Sequence, residues 1–334
     1  MTRVYVELSG ESLELARAEV DAVAAVLGGV ELHFVPSPVP LVVVELAREY
    51  VPTLALRLAL ARRCLIDVPG GAAFDPADGG PSVPGETAAF RRLGSPSGGG
   101  DARGIDTAAR AWKSAGGRID LEQPARRFWW AEGEPASDQF LEEVAAVDRR
   151  RTSTRRISNL PFRRPIGLAP RLARAAANLA RIAPGDRVVD PFLGTGALLA
   201  EAALFGARVT GIDLEAAMVQ GANRNFTHLG VSAEHLVVGD SADVEFPGSQ
   251  GPFDGLLTDP PYGRASSTGG ETAESLAARI LPRWAERLRP SAYAVVILPG
   301  GDDPLAPPWR RQLAVPVRVH RSLTREFRVY RRAP

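Results

Sequence analysis

The chain has 334 residues, more than one hydrophobic core usually supports, so two domains are expected. Hydrophobic residues make up 45% and charged residues 24%, values that exclude wholesale disorder. Forty basic side chains face 39 acids, and a net charge of +1, read as a sum, argues against a nucleic-acid partner. Lys113 is the single lysine. GC-rich codon usage explains that bias more simply than guanidinium groups reserved for phosphate.

One cysteine, Cys64, rules out an intramolecular disulfide and a cysteine-based zinc site. His33, His228, His235 and His320 are scattered, so no metal is expected. The start, MTRVYVELSG, has no apolar core and no small-residue cleavage site, and is not read as a signal peptide. The longest apolar stretches, such as Leu41–Leu46 and Ala292–Pro299, are strand-sized. A soluble, cytoplasmic protein is expected.

In chain order, residues 2–8 alternate as a strand and 12–27 carry apolar residues at helical spacing until Gly28-Gly29. Residues 39–46 read as a second strand and 53–65 as a second helix, a small α/β module. The stretch 69–100 is rich in Gly, Pro and Ser and reads as a flexible insert, with a short strand at 87–93. A helix at 105–115, a strand at 126–130 and a short helix at 138–148 complete a first region, 1–148. From Arg149 to Gly185 there are ten arginines and no acid. Residues 149–168 read as a basic linker, and 170–182 as a helix opening a second domain, 169–334. There the alternation becomes regular: strands at 187–190, 208–212, 235–238, 253–258 and 293–298, with helices at 196–205, 215–228 and 272–288. Strands alternating with helices of this length imply a parallel, doubly wound sheet, and 315–320 with 324–330 adds an antiparallel hairpin at its edge.

Asp190-Pro-Phe-Leu-Gly-Thr-Gly196 sits where the first of these strands runs into its helix, the place where open α/β sheets bind ligands. Gly194 and Gly196 let a ligand approach the backbone, although a tight strand–helix turn also needs glycine. The third glycine of the dinucleotide fingerprint and the P-loop lysine are both missing, which disfavours a pyrophosphate. Instead, Asp213 ends the second strand, placed for ribose hydroxyls, and Asp240 ends the third, placed for an adenine amino group with the backbone N–H of Ser241 near the ring. Each acid could equally be a helix cap. Three at one sheet edge favour an adenosine without phosphate, S-adenosylmethionine.

Asp259-Pro-Pro-Tyr262 follows the fourth strand and is the most specific signal. Methyl transfer to an exocyclic aromatic amine is limited by a lone pair delocalised into the ring. The Asp259 carboxylate and the Pro260 carbonyl can each accept one N–H, which drives the nitrogen toward tetrahedral geometry. Pro260 and Pro261 donate no competing N–H, and Tyr262 offers a ring on which a base stacks. Cys64 has no catalytic surroundings, so attack is from nitrogen rather than through a cysteine adduct. No nucleophile elbow is present.

Through PRLARAAANLARIAPGDRVVDPFLGTG, TDPPYGR and VHRSLTREFRVYRR, residues 159–331 resemble the archaeal-type tRNA (guanosine-10-N2)-methyltransferases, which join a THUMP region to a class I methyltransferase domain. The first half resembles them more loosely, through VYVELSGESLELARAEV and AGGRIDLEQPARRFWW. The resemblance implies a ferredoxin-like and THUMP-like RNA-binding region before the catalytic domain. It places Asp190, Gly194, Thr195 and Gly196 at the methionine end of the cofactor, Asp213 at ribose, Asp240 at adenine and Asp259–Tyr262 at the amine. Leu193 and Ala197 depart from the family's usual cysteine and glycine; the first touches packing, the second the cofactor pocket.

The leading reading is therefore an S-adenosylmethionine-dependent methyltransferase acting on N2 of guanosine 10 in tRNA, adding one methyl group and potentially a second. The basic run Arg149, Arg150, Arg151, Arg155, Arg156, Arg163 and Arg164, with Arg264 after the motif, would follow phosphate. The motif alone also fits guanine N2 elsewhere in tRNA or rRNA, or adenine N6 in DNA. A binding adaptor with a dead methyltransferase fold is the reading from another class. Nothing points to a membrane or an obligate protein partner. The objection from net charge dissolves on inspection: residues 149–185 carry +10 and residues 304–334 carry eight arginines against Glu326, leaving an acidic remainder.

Overall fold

The computed structural model describes residues 1–35, 39–68, 85–93, 103–131, 139–164, 167–244, 251–261, 271–320 and 323–334. They form two compact units: Met1–Leu56 with Leu60–Asp148, and Arg57–Ala59 with Arg149–Pro334.

The first unit opens as β1 (Thr2–Leu8), α1 (Leu13–Val26), β2 (Val30–Val35), β3 (Leu41–Leu46), α2 (Val51–Arg57) and β4 (Ala61–Asp67). These strands lie in the order β2-β3-β1-β4 with every neighbour antiparallel, the ferredoxin-like arrangement. The sheet continues through β8 (Gln139–Ala146), β7 (Arg126–Ala131), β5 (Thr87–Arg92) and β6 (Arg118–Ile119), with α3 (Arg103–Ser114) between β5 and β6 in sequence. Phe90, Trp112, Phe128 and Phe140 pack as an aromatic cluster around α3. Most of the insert read at 69–100 lies outside the described residues; 87–92 is a strand, close to the short strand read at 87–93.

Two segments read as helix are strand. The helix expected to reach residue 65 ends at Arg57, and the apolar run that follows is β4, held between β1 and β8. Cys64, Leu65 and Ile66 are all buried, so both faces are covered and no period-2 signal survives in the sequence. Residues 139–146, Gln-Phe-Leu-Glu-Glu-Val-Ala-Ala, favour helix by composition, yet pair with β4 and β7. Consecutive Phe140 and Leu141 are both fully buried, one against each face. Ladder pairing and burial there outweigh a helix preference of tenths of a kcal/mol per residue, about 0.7 at most.

The second unit starts with α4 (Arg149–Thr154) and α5 (Pro170–Leu179), then alternates: β9 (Arg187–Asp190), α6 (Ala197–Ala203), β10 (Arg208–Asp213), α7 (Ala216–Leu229), β11 (His235–Val238), β12 (Phe253–Thr258), α8 (Ala273–Arg287), β13 (Leu288–Leu298), β14 (Trp309–His320) and β15 (Leu323–Arg332). The strand order is β11-β10-β9-β12-β13-β15-β14. The first five are mutually parallel, and β15 and β14 add antiparallel. The order reverses between β9 and β12, which opens a crevice at the carboxyl ends of these strands. The core beneath is apolar, with Trp284 and Ile280 of α8 packed against Leu256 and Val296. Among the described residues no helix is long and apolar enough to cross a membrane.

Residues 149–164, read from sequence as part of a linker, pack within this unit. Asn225 on α7 accepts the Phe162 N–H (3.0 Å) and donates to the Phe162 carbonyl (3.0 Å). The Phe162 ring lies so close to Gly221 that a Cβ there would come within 2.2 Å of it.

Candidate active site

A cavity of about 660 Å³ opens at the crevice, bounded by the ends of β9, β10, β11 and β12 and by the first residues of β15. The sequence elements that meet here do so because successive parallel strands deliver their carboxyl ends to one edge. Asp190, Gly194, Thr195, Asp213, Asp240, Ser241, Asp259, Pro260 and Pro261, far apart in sequence, all line it. Tyr262 and Arg264 lie outside the described residues.

The turn after β9 is fixed by its acids. Asp190 is buried and accepts hydrogen bonds from the Phe192 N–H (2.9 Å) and the Thr258 hydroxyl (2.7 Å). Burial, aided by the neighbouring carboxylates Asp259 and Asp213, pushes its carboxyl up to about 7, although those two donors pull the other way. Asp213 takes the Gly194 N–H on one oxygen and the Glu215 N–H on the other, both at 2.9 Å, and burial raises its carboxyl. Each oxygen retains a lone pair for a ligand.

The two glycines of the turn separate in role. Gly194, at φ +52°, faces open space, and a Cβ there would meet nothing closer than 3.9 Å. Gly196, at φ +79°, is absent from the cavity wall; a Cβ there would strike Phe226 of α7 at 2.7 Å. Glycine is required at 196 for the turn and for helix packing. Ala197 does line the cavity, and Leu193 covers Gly211 of β10, where a Cβ would lie 2.5 Å from its side chain.

Asp240 is exposed and accepts the Ala242 N–H (2.8 Å), while its carbonyl accepts from Asp243 and Val244. It caps a turn and faces the cavity at once. Ser241 is buried, its carbonyl held by the Trp284 indole N–H (3.2 Å).

At the other end, one Asp259 oxygen accepts from Arg325 at 2.9 Å. The other, Oδ1, is buried and has no hydrogen-bond partner among the described residues. Burial pushes this carboxyl up to about 6, with Arg325 opposing. Arg325 itself is a cavity residue that the sequence reading did not single out. Its signal was the motif-bearing tail, but only strand pairing shows which of the tail's arginines turns inward.

The arginine run divides in the structure. Arg155 pairs with Glu201 of α6 at 2.8 Å, and Arg174 of α5 joins the same buried carboxylate at 2.8 Å. Arg155 is corrected from a phosphate contact to an internal ion pair, since a buried glutamate requires its cation. Arg149, Arg150, Arg151, Arg156 and Arg163 are exposed. Arg164 lies on the cavity wall.

The charged groups of that wall are Asp190, Asp213, Glu215, Asp240, Asp259 and Glu271 against Arg164, Arg279 and Arg325. Arg279 is held by Glu271 and Arg325 by Asp259. Such a wall suits a cationic ligand and repels phosphate. In the first unit Cys64 is fully buried and its thiol is pushed up to about 12, so it is no nucleophile.

Sheet order, glycine turn and a Pro-Pro motif at the crevice define a methyltransferase fold, and residues 159–306 match the UPF0020 family, described as an RMKL-like methyltransferase domain. The chain is a homologue of the tRNA (guanine(10)-N2)-dimethyltransferases. It is 32% identical to that of Methanothermobacter thermautotrophicus over 66% of this chain and 65% of the relative. It is 44% identical to that of Pyrococcus abyssi over 34% of each. A tRNA (guanine(10)-N(2))-methyltransferase of Saccharomyces cerevisiae matches at 27% over 44% of this chain and 38% of the relative. These matches span less than two thirds of the relatives' lengths. The crystal structure of TrmN from Thermus thermophilus shares the fold over 99% of both chains at TM-score 0.50 and 21% identity. So does a predicted N6-adenine-specific DNA methylase from Listeria monocytogenes, over 100% of this chain and 96% of that one, at 0.50 and 15%. Methyltransferases of the kind matched by residues 159–306 use S-adenosylmethionine generally.

Proposed function

We propose that the protein methylates the exocyclic N2 of guanosine 10 in tRNA, with S-adenosylmethionine as methyl donor. The observation that carries this reading is Asp259 beside Pro260, its buried Oδ1 without a hydrogen-bond partner among the described residues, in one cavity with the acids that end β9, β10 and β11. The residues present fit the donor. Gly194 leaves open space where a side chain would intrude, and an acid-rich wall receives a cation but no phosphate. In this assignment Asp190 and Thr195 hold the methionine end, Asp213 the ribose, and Asp240 with the Ser241 backbone the adenine.

When bound, the donor supplies a methyl group on a positively charged sulfur. Asp259 Oδ1 and the Pro260 carbonyl each accept one N–H of the guanine amine. Two acceptors on one nitrogen draw its lone pair out of conjugation and aim it away from both oxygens. The buried setting strengthens these bonds, because water does not compete for Oδ1. Ionised Asp259 is the stronger acceptor, so its raised carboxyl places the acid limit of turnover near pH 6. Tyr262 is assigned the stacking of the target base.

The tRNA enters this reading through the named relatives and through the exposed Arg149, Arg150, Arg151, Arg156 and Arg163, with Arg264 as a further contact. The first unit is assigned the RNA-binding part, in the manner of a THUMP region. Incubation of the protein with labelled S-adenosylmethionine and an unmodified tRNA transcript, followed by nucleoside mass spectrometry, tests it. N2-methylguanosine or its dimethyl form at position 10, lost when that guanosine is replaced, is the expected product. Label at another guanine, or in DNA adenine, overturns the substrate assignment.

A further inference from the structure

The tail motif VHRSLTREFRVYRR has no role in the reading above, yet the sheet brings one of its residues to the reacting end. Because β15 runs antiparallel to β13, its first residues lie at the carboxyl edge where the parallel strands finish. Thr258 of β12 is level with Val296 of β13, which pairs with Arg328, and Leu298 pairs with Glu326. Arg325 therefore sits one step past the end of β13, level with the turn that holds Asp259. Its side chain is 1% exposed and reaches Asp259 Oδ2 at 2.9 Å. Glu326, the next residue, turns to the other face and pairs with Arg328, so it does not compete.

We propose that Arg325 is the positioning residue of the amine site: by holding Oδ2 it fixes the orientation in which the Asp259 carboxylate meets the substrate N–H. An unanchored aspartate could rotate, or fold back onto the β9 turn. A carboxylate tied at one oxygen keeps one orientation. The ion pair also sets how easily Asp259 ionises, since burial penalises the charge and Arg325 compensates it. The other charged groups around this carboxylate are accounted for. Asp190 from β9 has its own carboxyl pushed up to about 7; Glu271 and Arg279 at the start of α8 are paired with each other; Asp213 and Arg164 stand on the same cavity wall near β10. Among these Arg325 is the cation in contact with Asp259. The inference rests on the assignment of Asp259 to the amine.

The test compares Asp259→Ala, Arg325→Gln and Arg325→Lys in the full chain. Four readouts apply: methylation of the tRNA transcript resolved into kcat and KM, its pH profile, donor affinity by calorimetry, and carboxyl NMR titration of Asp259. Arg325→Gln is expected to lower kcat about 100-fold, the scale of one misplaced catalytic contact. It should leave donor affinity within about 2-fold and move both the acid limb and the Asp259 titration upward by about one pH unit, the loss of a neighbouring cation. Arg325→Lys keeps the charge without the planar fork, so kcat should fall by about 10-fold with the acid limb in place. If Asp259→Ala is inactive while both Arg325 variants keep wild-type kcat and Asp259 titration, the positioning role is overturned and the amine site stands. If Asp259→Ala turns over normally, the amine-site reading fails and this inference with it. Should Arg325→Gln not fold, wild-type kcat in Arg325→Lys overturns the proposal.

Discussion

The two ends of one cavity hold their acids in opposite ways. At the glycine turn Asp190 and Asp213 each accept two hydrogen bonds from the chain, three of the four from backbone N–H groups. At the Pro-Pro turn Asp259 accepts from one guanidinium, and its buried second oxygen has no partner among the described residues. The satisfied acids shape a turn, and a ligand adds to bonds already made. An unsatisfied acceptor in a buried place costs about 1–3 kcal/mol until something donates to it. In the proposed function the first end binds the donor and the second holds the amine.

The sharpest way to break the contrast is Asp259→Ala. Turnover is expected to fall on the order of 10²–10³-fold, since the second acceptor at the amine is lost. Donor affinity measured by calorimetry should stay within about 2-fold, because no backbone bond of the turn is touched. Asp213→Ala should do the reverse. Releasing the Gly194 and Glu215 N–H groups loosens the turn and removes a charged acceptor, and the donor Kd should rise about 10- to 100-fold with kcat at saturation nearly unchanged.

A pH experiment sharpens the same comparison. The folded-state carboxyl of Asp190 sits at about 7, above its ordinary value, so the folded protein binds this proton more tightly than the unfolded chain does. Its contribution to stability is fully present below about pH 4 and is lost as pH rises through 7. Asp190→Asn, which keeps an acceptor for Phe192 and Thr258, should therefore raise Tm at pH 8, with the gain shrinking toward pH 4. A gain independent of pH would mean that Asp190 does not titrate in this window. The smallest effect is expected at the basic run. Reversing exposed Arg149, Arg150 and Arg151 should weaken tRNA binding and reduce its salt slope by about one per lost phosphate contact. Arg155→Glu should instead lower Tm, because it sets a second anion beside the buried Glu201.

Much of the second unit was legible because its strands are short apolar runs separated by helices and closed by Gly, Asp or Pro. Each parallel strand of β9 to β12 lies within two residues of its sequence reading, and the glycine turn and Asp259-Pro-Pro motif fall where strand ends predict. The first unit was less legible. β2 escaped notice, and β4 and β8 read as helix, because strands buried on both faces lose their alternation and Ala and Glu carry a helix preference wherever they stand. β8 is a strand because β4 and β7 lie on either side of it, a fact of tertiary pairing. The arginines show the same limit. A run of one sign reads as a single feature, but folding sends Arg155 and Arg174 inward to Glu201 while their neighbours remain at the surface.

Sequence by itself determined the chemistry on offer: acids after three strands, two glycines in a tight turn, and an aspartate before two prolines. Those are local signals, carried by the residue types that turns and strand ends demand. What only the tertiary structure decided is how the groups are held. Gly196 serves a helix contact and Gly194 the cavity; one oxygen of Asp259 is tied and the other is open; one arginine of a tail with eight turns into the site. The physical reason is that burial and pairing depend on which strands become neighbours. β15 reaches Asp259 across 66 residues of chain because it returns antiparallel along β13.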